Sequence, residues 1–342
     1  MIRSVPQLVS VAAVCLGVLL FAVTLVYYID LEETIDSAAR LGLALPIILI
    51  PGTLWHLLRT WGWSIAFPDE TRPSFTRLFR VRLAADAISF FTVRGIAGEP
   101  LKVVLLLDRS APQVTTASIA LERLAFAVMG IVIAGLISFF AVRRLSMPGA
   151  WDTVFTLLSL AAVLLIPLLI FVARRRTGDY LGRLVERLDA ITGRRLEGSR
   201  VIRFILDVED VVLELLRGDR RRLLTLLWLP LVCYLLMALE VWLVFWAIGE
   251  PIGVMQGLTI ETFARLGSVA SAAIPANLGA LEASNASVAA MLGLAGGGAL
   301  ALARRIRALL WAGVGLALYP RMQSNPPAAP GPRNSGQTDI AD

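Results

Sequence analysis

Lysine, histidine and cysteine are almost missing from this chain. It holds one lysine (Lys102), one histidine (His56) and two cysteines (Cys15 and Cys233) in 342 residues. Both cysteines lie inside apolar stretches, which excludes a disulfide framework and reads as buried packing. A lone histidine, with no His-Glu-x-x-His motif and no aspartate-rich run, offers no metal cluster, so neither metal nor cofactor is expected. No glycine-rich loop ends in Lys-Ser or Lys-Thr, so no phosphate loop for hydrolysing ATP is expected either. Charge is scarce as well, at 17% of residues, against about 25% in a soluble domain. The formal charge of +6 is carried by arginine and falls largely between apolar stretches. That placement suits an anionic membrane surface and argues against a nucleic-acid partner.

What is abundant is apolar surface. Hydrophobic residues make up 57% of the chain and its mean hydropathy is +0.74. Uncharged stretches at 7–29, 41–58, 124–142, 153–173 and 223–239 approach or exceed the ~18 apolar residues that suggest a spanning helix. The expected fold is an all-α polytopic membrane protein with about six to eight transmembrane helices. Tyr27 and Tyr28 end the first stretch as an interfacial belt where a cleavage site would want small residues, so that helix is expected to be retained. The acidic 30–40 loop is poor in Lys and Arg and is expected to face outward. Pro46 and Pro51 should kink the second span, and His56 reads as an interfacial polar contact, with a proton-relay role as the alternative. Arg72, Arg77, Arg80 and Arg82 mark the opposite, cytoplasmic face.

Two stretches break the pattern. The first is Arg94-Gly95-Ile96-Ala97-Gly98-Glu99-Pro100-Leu101-Lys102. Its glycines permit unusual backbone angles and its proline interrupts a helix, so a continuous helix is not expected there. The second runs from Pro275 through Asn277 and Gly279 to Glu282. Each is followed by a short apolar helix, and the two read as re-entrant segments near 83–110 and 270–298. Ionisable groups inside a bilayer are functional candidates by default. Arg82 and Asp86 stand at i, i+4, as do Glu261 and Arg265, while Glu122-Arg123 opens a long span and Glu240 lies near the middle of another. Interrupted segments in corresponding halves point to a transporter site built from an inverted repeat, although the spans between them do not match cleanly.

The expected plan is a membrane half over 1–173, a connector over 174–222, a second membrane half over 223–320, and a disordered tail over 321–342. The 174–222 connector carries 13 Arg against 9 Asp and Glu. Its 201–216 segment alternates apolar and charged residues at helical spacing, as an amphipathic helix on an anionic inner surface would. The glycines at 296–298 are expected to end the helix before them, with a last helix over 300–319.

Three motifs occur in order: Gly95-x-x-Gly98-Glu99-Pro100-x-Lys102, then Leu121-Glu122-Arg123, then Pro275-x-x-x-Gly279-x-x-Glu282. In this the chain resembles the transmembrane, flippase-like domain of the lysylphosphatidylglycerol synthases and the stand-alone membrane proteins related to it, among them a hopanoid-associated branch. The resemblance covers about 7–319. It implies re-entrant helices and movement of a polar lipid between leaflets of a bacterial inner membrane. Glu99, Lys102, Glu122, Arg123, Pro275, Gly279 and Glu282 match the motif positions. The synthases carry an aminoacyl-transferase domain after the membrane part, and only a short polar tail follows Tyr319 here. Aminoacylation by this chain is therefore not expected.

The substrate site expected from all of this comprises Arg94, Gly95, Gly98, Glu99, Lys102, Glu122, Arg123, Arg265, Pro275, Asn277, Gly279 and Glu282. Its cations could hold a lipid phosphate, and its carboxylates could pair with them or carry protons. An anionic phospholipid, glycolipid or hopanoid is the expected partner, with a lipid-biosynthesis enzyme as a further one. Two other readings stay open. One is a non-catalytic partner in a lipid or glycan assembly; the other is an intramembrane enzyme acting on a lipid phosphate, with Glu99 or Glu282 as base.

Overall fold

The computed structural model describes residues 41–92, 98–145, 149–174, 187, 200–217, 220–270 and 280–320. Among them it is all-helical. Ten α-helices follow one another: α1 (Leu45–Ile65), α2 (Phe75–Phe91), α3 (Gly98–Leu106), α4 (Pro112–Arg144), α5 (Gly149–Arg174), α6 (Arg200–Arg217), α7 (Arg220–Ala247), α8 (Val254–Ala270), α9 (Ala280–Met291) and α10 (Gly297–Ala317). Among the described residues, three segments are long and apolar enough to cross a membrane: Gly42–Ile65, Pro112–Arg144 and Arg220–Ala247. Helix α5 contains the expected 153–173 span. The expected first helix over 7–29, most of the connector and the 321–342 tail lie outside the described residues.

Helix α1 runs along α7, α10 along α2, and α4 along α5. The short α3 sits between α2 and α4, and α9 between α8 and α10. The amphipathic α6 packs on α4, where Val211 meets an apolar cluster of Ala66, Leu121, Ala125 and Leu226. Leu157, Leu160, Val163 and Leu164 on α5, and Trp228, Leu235 and Trp246 on α7, are exposed. In a membrane these apolar faces meet lipid tails without penalty.

Two apolar cores lie at opposite ends of α1. One gathers Ile48, Val241, Phe245, Ile260, Val288 and Leu300 from five helices. The other gathers Trp63, Phe67, Leu78, Val81, Leu105 and Ile119 from α1 to α4. Ile48 and Trp63 are fifteen residues apart, or about 22 Å along a helix. The turns between them do not continue either core; they face the polar layer described below. Close helix contacts need small residues, as three positions illustrate. A Cβ on Gly315 would stand 2.3 Å from the Leu83 carbonyl oxygen, one on Gly135 would stand 2.1 Å from Ala162 Cβ, and one on Gly297 would stand 2.8 Å from Ala286 Cα. Such tight backbone approach is how helices associate without a hydrophobic driving force.

Several expectations need correcting. Pro46 does not kink α1: it occupies the first turn, where its missing N–H costs nothing, while Pro51 lies inside the helix. Pro100 likewise falls in the first turn of α3 and does not interrupt it. The glycines at 296–298 do not end α9; the chain turns earlier, at Gly293 with φ of +74°, and Gly297 opens α10. Glu250 clips that turn by accepting the Ala295 and Gly296 backbone N–H groups, each at 2.8 Å. Arg82 does not mark a membrane face, for it is buried. His56 is not interfacial either; it is 8% exposed, with its ring 4.5 Å from that of Trp311.

Candidate functional site

Between the two apolar cores lies a cavity of about 340 Å³. Helix α1 gives it Gly52, Trp55, His56 and Arg59, one turn after another, and α2 gives Leu83, Asp86 and Ser89. Lys102 of α3 and Arg123 of α4 enter from one side, and Glu261, Arg265, Arg304, Arg307 and Trp311 of α8 and α10 from the other. Because α1 is long and apolar enough to span and has apolar packing at both ends, this polar layer falls between the two apolar cores.

The first group of charges forms a ladder in which every carboxylate bridges two cations. Glu122 accepts from Arg59 at 2.7 Å and from Arg82 at 3.2 Å. Asp86 lies 3.6 Å from Arg82 and 3.7 Å from Lys102. Glu99 accepts from Lys102 at 3.1 Å and also from Arg123. Four cations alternate with three carboxylates. Lys102 is 4% exposed and lies 5.6 Å from the Trp63 ring, a setting that suits a compact ammonium. Burying so many charges is tolerable only because each meets a partner of opposite sign.

The second group is smaller. Glu261 accepts from Arg265 at 2.7 Å and also from Arg304, while Arg304 donates to the Asn285 side chain at 3.0 Å. Arg307 pairs with the fully buried Glu240 of α7. Three cations face two carboxylates here. Each group reaches the cavity through a partly exposed arginine: the Arg123 side chain is 50% exposed and that of Arg265 36%. A guanidinium carries five N–H donors in a planar fork, so pairing with one carboxylate leaves donors to offer. Counted together, seven described cations stand against five carboxylates, an excess of positive charge.

Of the residues expected in the site, Lys102, Arg123 and Arg265 line one cavity, and Glu99 ties the first two together. Glu122 stands behind them among Arg59 and Arg82. Gly98 is buried at the start of α3, where a Cβ would stand 2.7 Å from the Ala85 carbonyl oxygen and 2.7 Å from Ser89 Cβ. Arg94, Gly95, Pro275, Asn277 and Gly279 lie outside the described residues; Glu282 is placed on α9, its side chain outside them. The expected site did not include Arg59, Arg304, Arg307 or Trp311, nor His56, for which a proton relay was the lesser of two readings. The signal was there in part, since Arg304, Arg307 and Trp311 recur at helical spacing on one face of α10. An arginine near a helix end, however, reads equally well as an interfacial one.

The bundle and its buried charged cavity define a multi-pass helical membrane protein. Residues 7–317 match the family model of the lysylphosphatidylglycerol synthase TM region, and the chain belongs to that family. This region is the non-catalytic, flippase-like part of the synthases, which makes the chain a membrane protein related to lipid biosynthesis or flipping. No curated protein and no solved structure matches the chain.

Proposed function

We propose that the chain is a flippase-like protein of a bacterial inner membrane that binds a polar or anionic lipid headgroup in the central cavity and passes it between leaflets. The observation that carries this reading is the cavity itself: Lys102, Arg123 and Arg265 converge on one space in the middle of an apolar bundle. Arg123 and Arg265 have exposed guanidinium surface for a phosphate, and arginine forks match phosphate oxygens in pairs. Glu99 and Glu261 hold these arginines in place while the site is empty, and a phosphate takes over part of that pairing when it arrives. In this reading two membrane halves, 1–173 and 223–320, supply the two walls of the site. Arg94, Gly95, Pro275, Asn277, Gly279 and Glu282 belong to it in this reading. Movement runs down a lipid gradient or is coupled to protons through the carboxylates.

The test uses purified protein in liposomes carrying fluorescent phosphatidylglycerol, phosphatidylethanolamine or a glycolipid on one leaflet, with dithionite quenching to time leaflet exchange. The expected result is accelerated exchange of at least one anionic or glycosylated lipid. Arg123→Gln with Arg265→Gln should remove the acceleration while the protein still elutes as a folded species. Liposomes that exchange every lipid at the protein-free rate would sink the reading. An intact membrane phenotype in cells carrying the double variant would favour a non-catalytic scaffold instead.

A further inference from the structure

Glu240 is the only acidic residue in α7. It is fully buried and does not border the cavity. One of its oxygens pairs with Arg307 of α10, and the other has no partner among the described residues, so Arg307 alone answers this charge. Arg307 does border the cavity. It meets Glu240 through Nη1, which also donates to the Met237 sulfur at 3.2 Å. Its Nε and Nη2 have no partner among the described residues, and its side chain is 22% exposed. On its other flank it runs against buried Gly52 of α1, where a Cβ would stand 2.5 Å from Arg307 Cδ and 3.2 Å from its Cγ. Two neighbouring helices thus fix one arginine of α10, α7 by charge and α1 by having no side chain in its way.

The other arginines of the site are held differently. Arg123 pairs with Glu99 and Arg265 with Glu261. Glu261 borders the cavity, and the Glu99 side chain is 19% exposed. A phosphate arriving there meets these carboxylates too and displaces part of their pairing. Glu240 is out of its reach, so the bond from Glu240 to Arg307 is made from behind and outlasts the arrival of a ligand. A free arginine side chain has many rotamers and loses that freedom when a ligand orders it. One already held by a carboxylate and by close packing loses little. A carboxylate buried in an apolar helix is costly to keep and is a functional candidate by default.

We propose that Arg307 is a further headgroup contact, offering its free edge to a phosphate, and that Glu240 and Gly52 are positioning residues that set its direction. This rests on the lipid-binding reading of the cavity and brings into the site three residues outside the expected set. Arg307 is the standing cation of the site. It takes a phosphate without giving up its partner, whereas Arg123 and Arg265 exchange a carboxylate for one.

The test titrates dioctanoyl phosphatidylmethanol, a bare phosphate ester, into the full chain in detergent, with uncharged dioctanoylglycerol as the control. Arg307→Gln should weaken phosphatidylmethanol about tenfold, the effect of one lost hydrogen bond to a charged group, and leave dioctanoylglycerol unchanged. Glu240→Gln and Gly52→Ala leave the guanidinium in place and should each weaken phosphatidylmethanol about three- to tenfold. Combined with Arg307→Gln, neither should weaken it further, because both act through Arg307. If Arg307→Gln does not fold with Glu240 left alone, Arg307→Lys, which still answers Glu240 but has no fork, takes its place in the same comparison. Unchanged affinity in the Arg307 variant overturns the proposal and leaves the lipid cavity standing. So does a loss from Glu240→Gln and Gly52→Ala that is equally large with and without Arg307, which is what a merely structural role gives. If the wild type binds phosphatidylmethanol no more tightly than dioctanoylglycerol, the cavity reading fails and the proposal with it.

Discussion

The two charged assemblies are built on the same plan and differ in how dry the arginines around their central carboxylates, Glu122 and Glu261, are. Each starts from a pair one turn apart on a single helix, Arg82–Asp86 on α2 and Glu261–Arg265 on α8, and each is completed by a distant side chain, Glu122 in one and Arg304 in the other. In the first, Glu122 lies between two arginines whose side chains are 19% and 2% exposed. In the second, one of the two arginines on Glu261 is partly open to the cavity. The comparison teaches that a local helix pair neutralises charge but does not place it. Placement comes from the third member, and how freely that assembly can exchange partners depends on the exposure of its outer arginine.

The largest effect should come from breaking the drier of the two central pairings, that of Glu122. Glu122→Ala strands Arg59 in a low-dielectric interior, leaves Arg82 with Asp86 alone, and should cost about 3–5 kcal/mol, read as a lower thermal midpoint in detergent. Glu261→Ala should cost less, because Arg265 can turn to the cavity. An equal loss in both variants would remove the distinction in dryness. Next in size is the seam where α10 meets α2. Gly315→Val drives a side chain into the Leu83 carbonyl and should cost about 1–3 kcal/mol through overpacking, again read as a thermal midpoint. An unchanged midpoint would mean that the two helices are not pressed together there.

The outer arginines should behave differently. Arg123→Gln and Arg265→Gln should each cost under about 1 kcal/mol, as partly exposed pairs do. Each should slow leaflet exchange about tenfold, roughly what one lost charged hydrogen bond is worth. If only one of them slows exchange, a single assembly carries the headgroup. The smallest effect is expected at Asp69, which accepts from Arg222 at 2.7 Å and from Arg72 with its own side chain 66% exposed. Asp69→Ala should shift stability by no more than about 0–1 kcal/mol and leave exchange as it was.

Much of this is legible in the chain alone. Apolar run lengths gave the spans that α1, α4 and α7 fill, and i, i+4 spacing gave both local ion pairs. Lys102 stood out by being the only lysine. What was not legible was depth. Arg59, Arg304 and Arg307 look like interfacial arginines because they sit in helix turns beside tryptophans and glycines, and hydropathy does not say which side of a helix meets a neighbour. His56 was misplaced for the same reason: its burial depends on Trp311, more than 250 residues away in the chain.

The sequence by itself determined that this protein is a bundle of membrane helices, because backbone groups in a bilayer must be paired within each segment and long apolar runs have few other folds open to them. It also determined which charges are neutralised locally, since helix geometry is fixed by spacing alone. Only the tertiary structure decided that Glu122 joins Arg59 to Arg82 and that Arg304 completes Glu261. It alone gathered Lys102, Arg123 and Arg265 around one space. Those contacts depend on which helices lie side by side, and that is set by packing, at places such as Gly315 against Leu83, summed over the whole chain.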